Sequence, residues 1–539
     1  MLYSRIASAL EEISGSPRAG KVNRTSALLC EAAGEREMLC PVVRLLTGEL
    51  WPRWDGREMG IGPETVAAAL ADVCDIDLSI ERQQKGDMGL VAEAALEHKG
   101  QSSLFGQPLD ALAVYENLRR ISRFKGSDSD QRKMAALRGL FLLASPLEGK
   151  FIARTVLRRM QAGLGPRTMI EAIASAIACD AQTLGRAFRM KPDLGCIAEM
   201  ARLGRMDGIL IQPMLPARSM IYSGRGEFFA GAYLPKFSGL RVQVHKAGEA
   251  VRIFSSRLRD ISSSLSGLCR DVGRLKSDFV ADANLIGFLE ASVGSKGGRI
   301  CSGSEMLRYI NRRRLTRKSS IHPGLLAYDI LAVDGNDICS TAYADRRERM
   351  LKALGPPQAM PFFGLSPVNE RYLREKADLD EYLCLARSKG ASGLLARDPG
   401  GLYLPGELAE RDFIIRASQN ISALVVGVDW TVGKDGQPRP RYLVALRQGD
   451  DLVPVGRVWR ALPDCDCLLL SQAAGSQSSQ NDGAQARASP RILLKIRIVG
   501  TEKAGREWRI IRPVIEDYSL DSCLENVDDL EKLNSICPK

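Results

Sequence analysis

The chain contains no run of about eighteen apolar residues, so no helix in it is expected to span a bilayer. It has only three histidines, His98, His245 and His322, and they lie far apart. That argues against a histidine metal centre and against Ser-His-Asp hydrolysis. The 13 cysteines are scattered, and the nearest pair, Cys465 and Cys467, has no second pair at zinc-binding spacing. An odd number at irregular spacing reads as reduced thiols, so a cytoplasmic location is expected. The start, Met1-Leu2-Tyr3-Ser4-Arg5, lacks the basic and apolar regions of a secretion signal. No G-x-G-x-x-G follows a strand-like run and no P-loop is present, which removes the common dinucleotide and NTPase folds.

What is present is an ordinary globular composition of 539 residues, 45% hydrophobic and 26% charged. That length exceeds one hydrophobic core and implies several domains. Lys and Arg number 75 against 64 Asp and Glu, a net charge of +11. Such a surplus points to a polyanionic partner, nucleic acid before membrane.

Three textures follow one another. Residues 1–205 show apolar positions at helical spacing, as in Met134, Leu137, Leu140, Phe141 and Ala144, and an all-α domain is expected. Within it Phe151, Ile152, Val156, Leu157 and Met160 form an apolar face, with Arg154, Arg158 and Arg159 off it. Gly163, Gly165 and Pro166 then open another helix. A basic face beside a helix N-terminus suits phosphate, so these three arginines are candidate DNA contacts. Residues 206–417 alternate short β-rich runs (241–245, 251–254, 325–331, 393–396) with helical pieces such as 345–354, which reads as α+β with antiparallel sheets. Residues 418–539 read as all-β, with strands at 422–428, 441–447, 453–458, 491–499 and 508–511, a number that suits a small barrel of the OB type. Residues 473–489, rich in Ser, Gln, Gly and Ala, read as a flexible loop.

The chemistry concentrates in Gly231-Ala-Tyr-Leu-Pro-Lys236-Phe-Ser-Gly239-Leu-Arg241. A lysine at a strand end, a glycine turn and an arginine can present an amine to the α-phosphate of a nucleotide, forming a phosphoramide. K-x-x-G-x-R alone is common by chance. Further segments accompany it: Leu50-Trp-Pro-Arg-Trp-Asp55 with Met59-Gly-Ile-Gly62, Gly86-Asp-Met-Gly89, Gln101-Ser-Ser-Leu-Phe105, Phe151-Ile-Ala-Arg-Thr155, Pro213-Met-Leu215, Tyr328-Asp-Ile-Leu331 with Val333-Asp-Gly335, Arg346-Arg347, and Asp398-Pro399 with Tyr403-Leu-Pro-Gly406. In this order the chain resembles the ATP-dependent DNA ligases of the archaeal type over nearly its whole length.

That resemblance implies a helical DNA-binding domain, a nucleotidyltransferase domain and an OB domain around nicked duplex, with ATP and Mg²⁺ as cofactors. It implies Lys236 as the lysine that carries AMP, with Arg241, Tyr328, Arg397 and Arg416 at the nucleotide. The chain departs from the family's E-x-K-x-D-G-x-R at Leu234 and Ser238. The family's next arginine falls on Ser256, and its D/E-G-E on Asp282-Ala283-Asn284. Its E-G-x-x-x-K falls on Ser392-Gly393-Leu-Leu-Ala-Arg397, and its following arginine and K-x-K on Leu408, Ile414 and Arg416. The R-x-D-K segment of the OB tail falls near Ile515-Glu516-Asp517-Tyr518.

Asp282 is then the surviving metal carboxylate, with Asn284 and Ser392 in place of the others. Mg²⁺ prefers hard oxygen anions, so metal binding is expected to be impaired and ligation weak or lost. The alternatives are a fully active ligase whose site is refilled by Asp260 or Asp398, and a non-catalytic DNA-bound scaffold for replication or repair proteins. A monomer on nicked or duplex DNA is expected, with no membrane association.

Overall fold

The computed structural model describes the chain except for residues 75–77, 100–106, 207, 225, 290–298, 313–320, 360–363, 417–418, 433–437, 450, 460–469, 471–491, 505–506, 521–523 and 537–539. The expected loop at 473–489 and the segment 101–105 therefore lie outside the described residues.

The first part is helical from Tyr3–Ser14 to Leu194–Arg202. The apolar spacing read between 134 and 144 is a helix, Ser129–Leu143, that buries Leu137, Leu140 and Phe141. The next helix, Pro146–Val156, begins at a capping box in which Ser145 and Glu148 satisfy each other's backbone N–H, a device worth about 1 kcal/mol.

This helix corrects the expected basic face. Every residue from Glu148 to Val156 is buried, Arg154 included. Arg154 pairs with Asp87 at 3.2 Å and stacks on Phe151, while Lys150 pairs with Glu11 and Glu93 at 2.8 and 3.0 Å. Gly86-Asp-Met-Gly89 acquires a structural reason here. Asp87 caps the helix Met88–Glu97 while holding Arg154, and a methyl group at Gly89 would lie 2.7 Å from the Arg154 side chain. Arg158 and Arg159 are exposed just past the helix end, before the helix Pro166–Ile177 that Pro166 begins as expected.

Two sheets follow. In the first the strand order is Ile221–Ser223, Leu408–Arg416, Ala391–Arg397, Gly231–Phe237 and Arg371–Leu373. The second is built on Leu240–Ala247, Phe279–Leu289 and Ile321–Val333. Most pairings are antiparallel, as expected, but Ile221–Ser223 pairs with Leu408–Arg416 in parallel, as does Ile321–Val333 with Leu365–Pro367. The helical part docks on these sheets through the ion pair Arg189–Glu407 and a hydrogen bond from Arg218 N to Arg189 O of 2.7 Å.

The last part is a five-stranded antiparallel sheet around Gln419–Val432, Pro438–Gln448 and Leu493–Ile498. The hairpin Gly500–Ala504 and Glu507–Ile511 packs on it so closely that a methyl group at Gly456 would lie 2.9 Å from Ile510. Its core joins Ile421, Val444, Val455, Leu494 and Ile496. No helix among the described residues is long and apolar enough to cross a membrane.

Candidate active site

Lys236 sits at the end of the strand Gly231–Phe237, half-buried, its Nζ 5.0 Å from the centre of the Tyr328 ring. Three side chains pin the backbone around it. Ser392 Oγ donates to Lys236 O at 2.8 Å, and Asn284 Nδ2 donates to Phe237 O at 3.0 Å. The Tyr328 hydroxyl donates to Pro235 O at 2.9 Å and accepts from Phe237 N at 3.2 Å. Tyr328 therefore presents its ring beneath the amine while its hydroxyl satisfies the strand edge. Gly239 permits the next approach, since a methyl group there would meet Leu285 O at 2.4 Å. The chain can then return along Leu240–Ala247, where Arg241 lies opposite Asn284.

Burial pushes the Lys236 ammonium down from its ordinary 10.5 to about 7, with Arg241, Arg512 and Arg416 lowering it further against the opposing charge of Asp282. Near neutral pH much of this lysine is free amine, the nucleophilic form. The folded state disfavours a proton that the unfolded chain holds up to 10.5, so this lysine's penalty on folding is full below about 7 and fades as pH rises to 10.5. Lys236→Met is therefore expected to raise the thermal midpoint more at pH 6 than at pH 9. An equal gain at both would show a solvated amine.

The carboxylates around the lysine are already engaged. Asp282, 2% exposed, accepts from Arg241 Nε at 2.9 Å, from Arg241 Nη2, and from the Tyr403 hydroxyl at 2.9 Å. Arg241 also donates to Met220 O at 2.5 Å and lies over the Tyr222 ring. Arg397 is wholly enclosed. Its Nη2 is 2.6 Å from Asp329 and its Nε 2.8 Å from Asp412, and its guanidinium lies 4.1 Å from the Tyr343 ring centre. Arg346 holds the other side of Asp329 at 2.9 Å. Arg397 is thus a core cation and not a nucleotide contact, which corrects the expectation for it.

Neither proposed substitute carboxylate reaches the site. Asp260 is turned onto Ser262 N and Oγ at 2.9 and 2.5 Å. Asp398 follows Arg397, which pairs with Ala232 at the opposite end of the lysine strand, and is held by Arg411 at 3.2 Å. Among the described residues no group of three metal-binding side chains is found. The donors present at the lysine are amide, hydroxyl and a carboxylate already neutralised by arginine, and these do not fit Mg²⁺.

Of the other expected positions, Leu234 is buried opposite Leu395, and Ser256 N donates to Arg241 O at 3.1 Å, so both adjoin the site. Ile414 is half-buried opposite Leu395. Leu408 is misplaced by the sequence reading: it begins the strand that Arg416 ends, about 26 Å away at strand rise, and is exposed. Glu516 pairs with Arg497 within the last sheet, and Ile515 is buried there. In the last sheet Arg512, in the turn before Val514–Ser519, adds to the positive charge that holds the Lys236 ammonium down, and the sequence reading missed it. It also missed Tyr222, which carries no local signal.

Two antiparallel-rich sheets with a lysine at a strand end between them, preceded by a helical part and followed by a further antiparallel sheet, define a nucleotidyltransferase-type protein. The family models "DNA ligase N terminus" and "ATP dependent DNA ligase domain" match residues 2–174 and 224–412. The chain is 26% identical to a DNA ligase of Methanothermobacter thermautotrophicus over 568 residues, covering 99% of this chain and 98% of that protein. It is 28% identical to a DNA ligase of Archaeoglobus fulgidus over 539 residues, covering 95% and 94%. To a DNA ligase of Thermococcus onnurineus it is 27% identical over 489 residues, covering 87% and 85%. It shares its fold with the solved structure "Pmar-Lig_Pre." at a TM-score of 0.51 and 11% identity, covering 95% of this chain and 98% of that one. The chain belongs to the ATP-dependent DNA ligase family.

Proposed function

We propose that this protein binds nicked duplex DNA and that nick sealing by its own site is weak or lost. In this reading residues 1–205 grip duplex, 206–417 carry the nucleotidyltransferase site, and 418–539 form an OB-fold that faces it. One observation carries the proposal. Asn284 and Ser392, where the family has carboxylates, spend their hydrogen bonds on the lysine strand, and Asp282 is clamped by Arg241 and Tyr403. Lysine adenylylation, AMP transfer and phosphodiester closure all build negative charge on phosphoryl oxygens. Losing one stabilising group from such a site commonly costs about 10²–10³ in rate. Mg²⁺ has no anionic cradle here, so no step is assigned to it.

A second reading, in which lysine adenylylation alone survives, is favoured by the Lys236 amine near 7. It leaves the later steps impaired in the same way.

Both parts can be measured in one preparation. Nicked duplex is expected to bind with an affinity that falls steeply with salt, and Arg158→Gln with Arg159→Gln is expected to lower the log–log slope by about one unit per lost phosphate contact. Arg154→Gln is expected to leave the slope unchanged and lower stability. A pre-adenylylated nick is expected to be sealed at least about 10²-fold more slowly than by the Archaeoglobus relative. Equal sealing rates would overturn the proposal.

A further inference from the structure

The short strand Ile221–Ser223 lies at the edge of its sheet, yet its backbone is firmly held. The Gln243 side chain accepts from Ala217 N at 3.1 Å and donates to Ala217 O at 2.8 Å. Met220 N donates to the Tyr403 hydroxyl at 3.1 Å, and Ile221 N to Glu407 O at 2.7 Å. Strand alternation then turns Ile221 outward, 52% exposed, and Tyr222 inward. Tyr222 packs on two cores at once, one containing Leu234 and Tyr328, the other Ala217 and Met220. Two guanidinium groups meet its ring, Arg241 at 4.7 Å and Arg397 at 5.6 Å from the centre. Its hydroxyl accepts from Arg397 Nη1 at 3.3 Å, which ties the ring to the buried pairs of Arg397 with Asp329 and Asp412. Burial pushes that hydroxyl up to about 12 against the pull of Arg397 and Arg241, so the ring stays a neutral phenol near pH 7.

Arg241 is fixed by two different constraints. Asp282 takes its Nε and Nη2, and Met220 O takes Nη1, which secures the edges of the guanidinium. The Tyr222 ring lies against its face and so sets its plane. A guanidinium has five N–H groups. Among the described residues these bonds use three, so two are left for a ligand. The direction of those two follows from the plane. Arg241 also adjoins the nucleophile, since it lies opposite Asn284, whose side chain bonds the residue after Lys236.

We propose that Tyr222 is a positioning residue that sets the plane of Arg241 and so offers its two remaining N–H groups in one fixed direction to a nucleotide at the lysine site. This rests on the reading of that site as one that meets a nucleotide. Tyr222 acts through Arg241 and touches no ligand itself. It carries the rigidity of the buried Arg397 network to the one arginine beside Lys236 that a bound nucleotide would meet.

The test is phenylglyoxal labelling of the full chain, with the rate at each arginine read by peptide mass spectrometry. Tyr222→Leu is expected to raise the rate at Arg241 about tenfold, the loss of one good ring–cation contact. Tyr222→Phe keeps the ring and is expected to raise it less than about twofold. Tyr222→pentafluorophenylalanine keeps the shape but removes the ring's attraction for a cation, so it is expected to act like Tyr222→Leu and decides the matter if that variant does not fold. Arg346, wholly enclosed, and Arg274, exposed, are internal references whose rates are expected to stay constant. Unchanged labelling of Arg241 in the leucine and pentafluoro variants, or Arg241 and Arg346 rising together, would overturn the positioning role, the latter because it reports a loosened core. ATP is expected to shield Arg241 in the parent and to shield it about tenfold less well in the pentafluoro variant. Absence of shielding in the parent would overturn the nucleotide reading of the site, and is told apart from failure of the positioning role because it involves no variant.

Discussion

Asp329→Ala is expected to lower the free energy of unfolding by about 3–5 kcal/mol, read as a fall in the urea midpoint at constant slope. Asp329 is 1% exposed and holds Arg346 at 2.9 Å and Arg397 at 2.6 Å. Burial alone would raise its carboxyl, but Arg397 and Arg346 outweigh that and hold it below the ordinary value. Its contribution is therefore present at neutral pH and lost in acid as the folded-state value is approached. Removing it leaves Arg346 with no counter-ion, only the Thr341 and Gly401 carbonyls, and leaves Arg397 with Asp412 as its one remaining counter-ion, at 2.8 Å. Replacing the whole network, as Asp329→Leu, Arg346→Met and Arg397→Met with Asp412→Asn to neutralise the other buried partner of Arg397, is expected to recover much of the loss, because no buried charge is then left unpaired. An unchanged midpoint in Asp329→Ala would mean that these arginines find water. Asp329 follows Tyr328 directly, so the ion-pair network anchors the strand that carries the ring beneath Lys236.

The second large effect concerns the apparent repair of the metal cradle. Asn284→Asp together with Ser392→Glu restores the family's acidic character but is expected to destabilise the fold by roughly 2–6 kcal/mol, about 1–3 for each carbonyl that loses its donor. Asn284 and Ser392 donate to Phe237 O and Lys236 O, and a carboxylate at either place can only accept. The new charges would also face a buried environment in which Asp282 already takes up Arg241. The substitutions are therefore not simple deletions from a ligase site, since they refill the hydrogen bonds of the lysine strand. Thermal melts with and without Mg²⁺ check this. A double variant as stable as the parent, and stabilised further by Mg²⁺, would show that the cradle is intact apart from two side chains.

The order Lys236, Gly239, Arg241 was legible because the chemistry there is local. Strand end, turn and return strand lie within a few residues, and the glycine is required by backbone approach to Leu285. The helical and β textures were legible for the same reason, through periodicity. Arg154 was not, because helical spacing cannot tell a solvated flank from one enclosed by other helices. Its counter-charge Asp87 lies 67 residues away in sequence. Arg397 was misread likewise: a cation in a family position looks like a ligand contact until Asp329 and Asp412 are seen to enclose it. Leu408 failed on register, since family spacing gave it a place at the phosphates that the length of its own strand denies. Arg512 was not singled out because the family segment nearest it was placed at 515–518, and nothing local to Arg512 shows that its charge acts on a lysine so far away in the sequence.

The most direct test is incubation of the protein with ATP labelled on the α-phosphate, in Mg²⁺ and in Mn²⁺, followed by denaturing electrophoresis. A retained amine without anionic metal ligands predicts labelling absent or at least about 10²-fold slower than in the Archaeoglobus relative. A band formed as fast as the relative's, dependent on Mg²⁺ and abolished by Lys236→Ala, would contradict it.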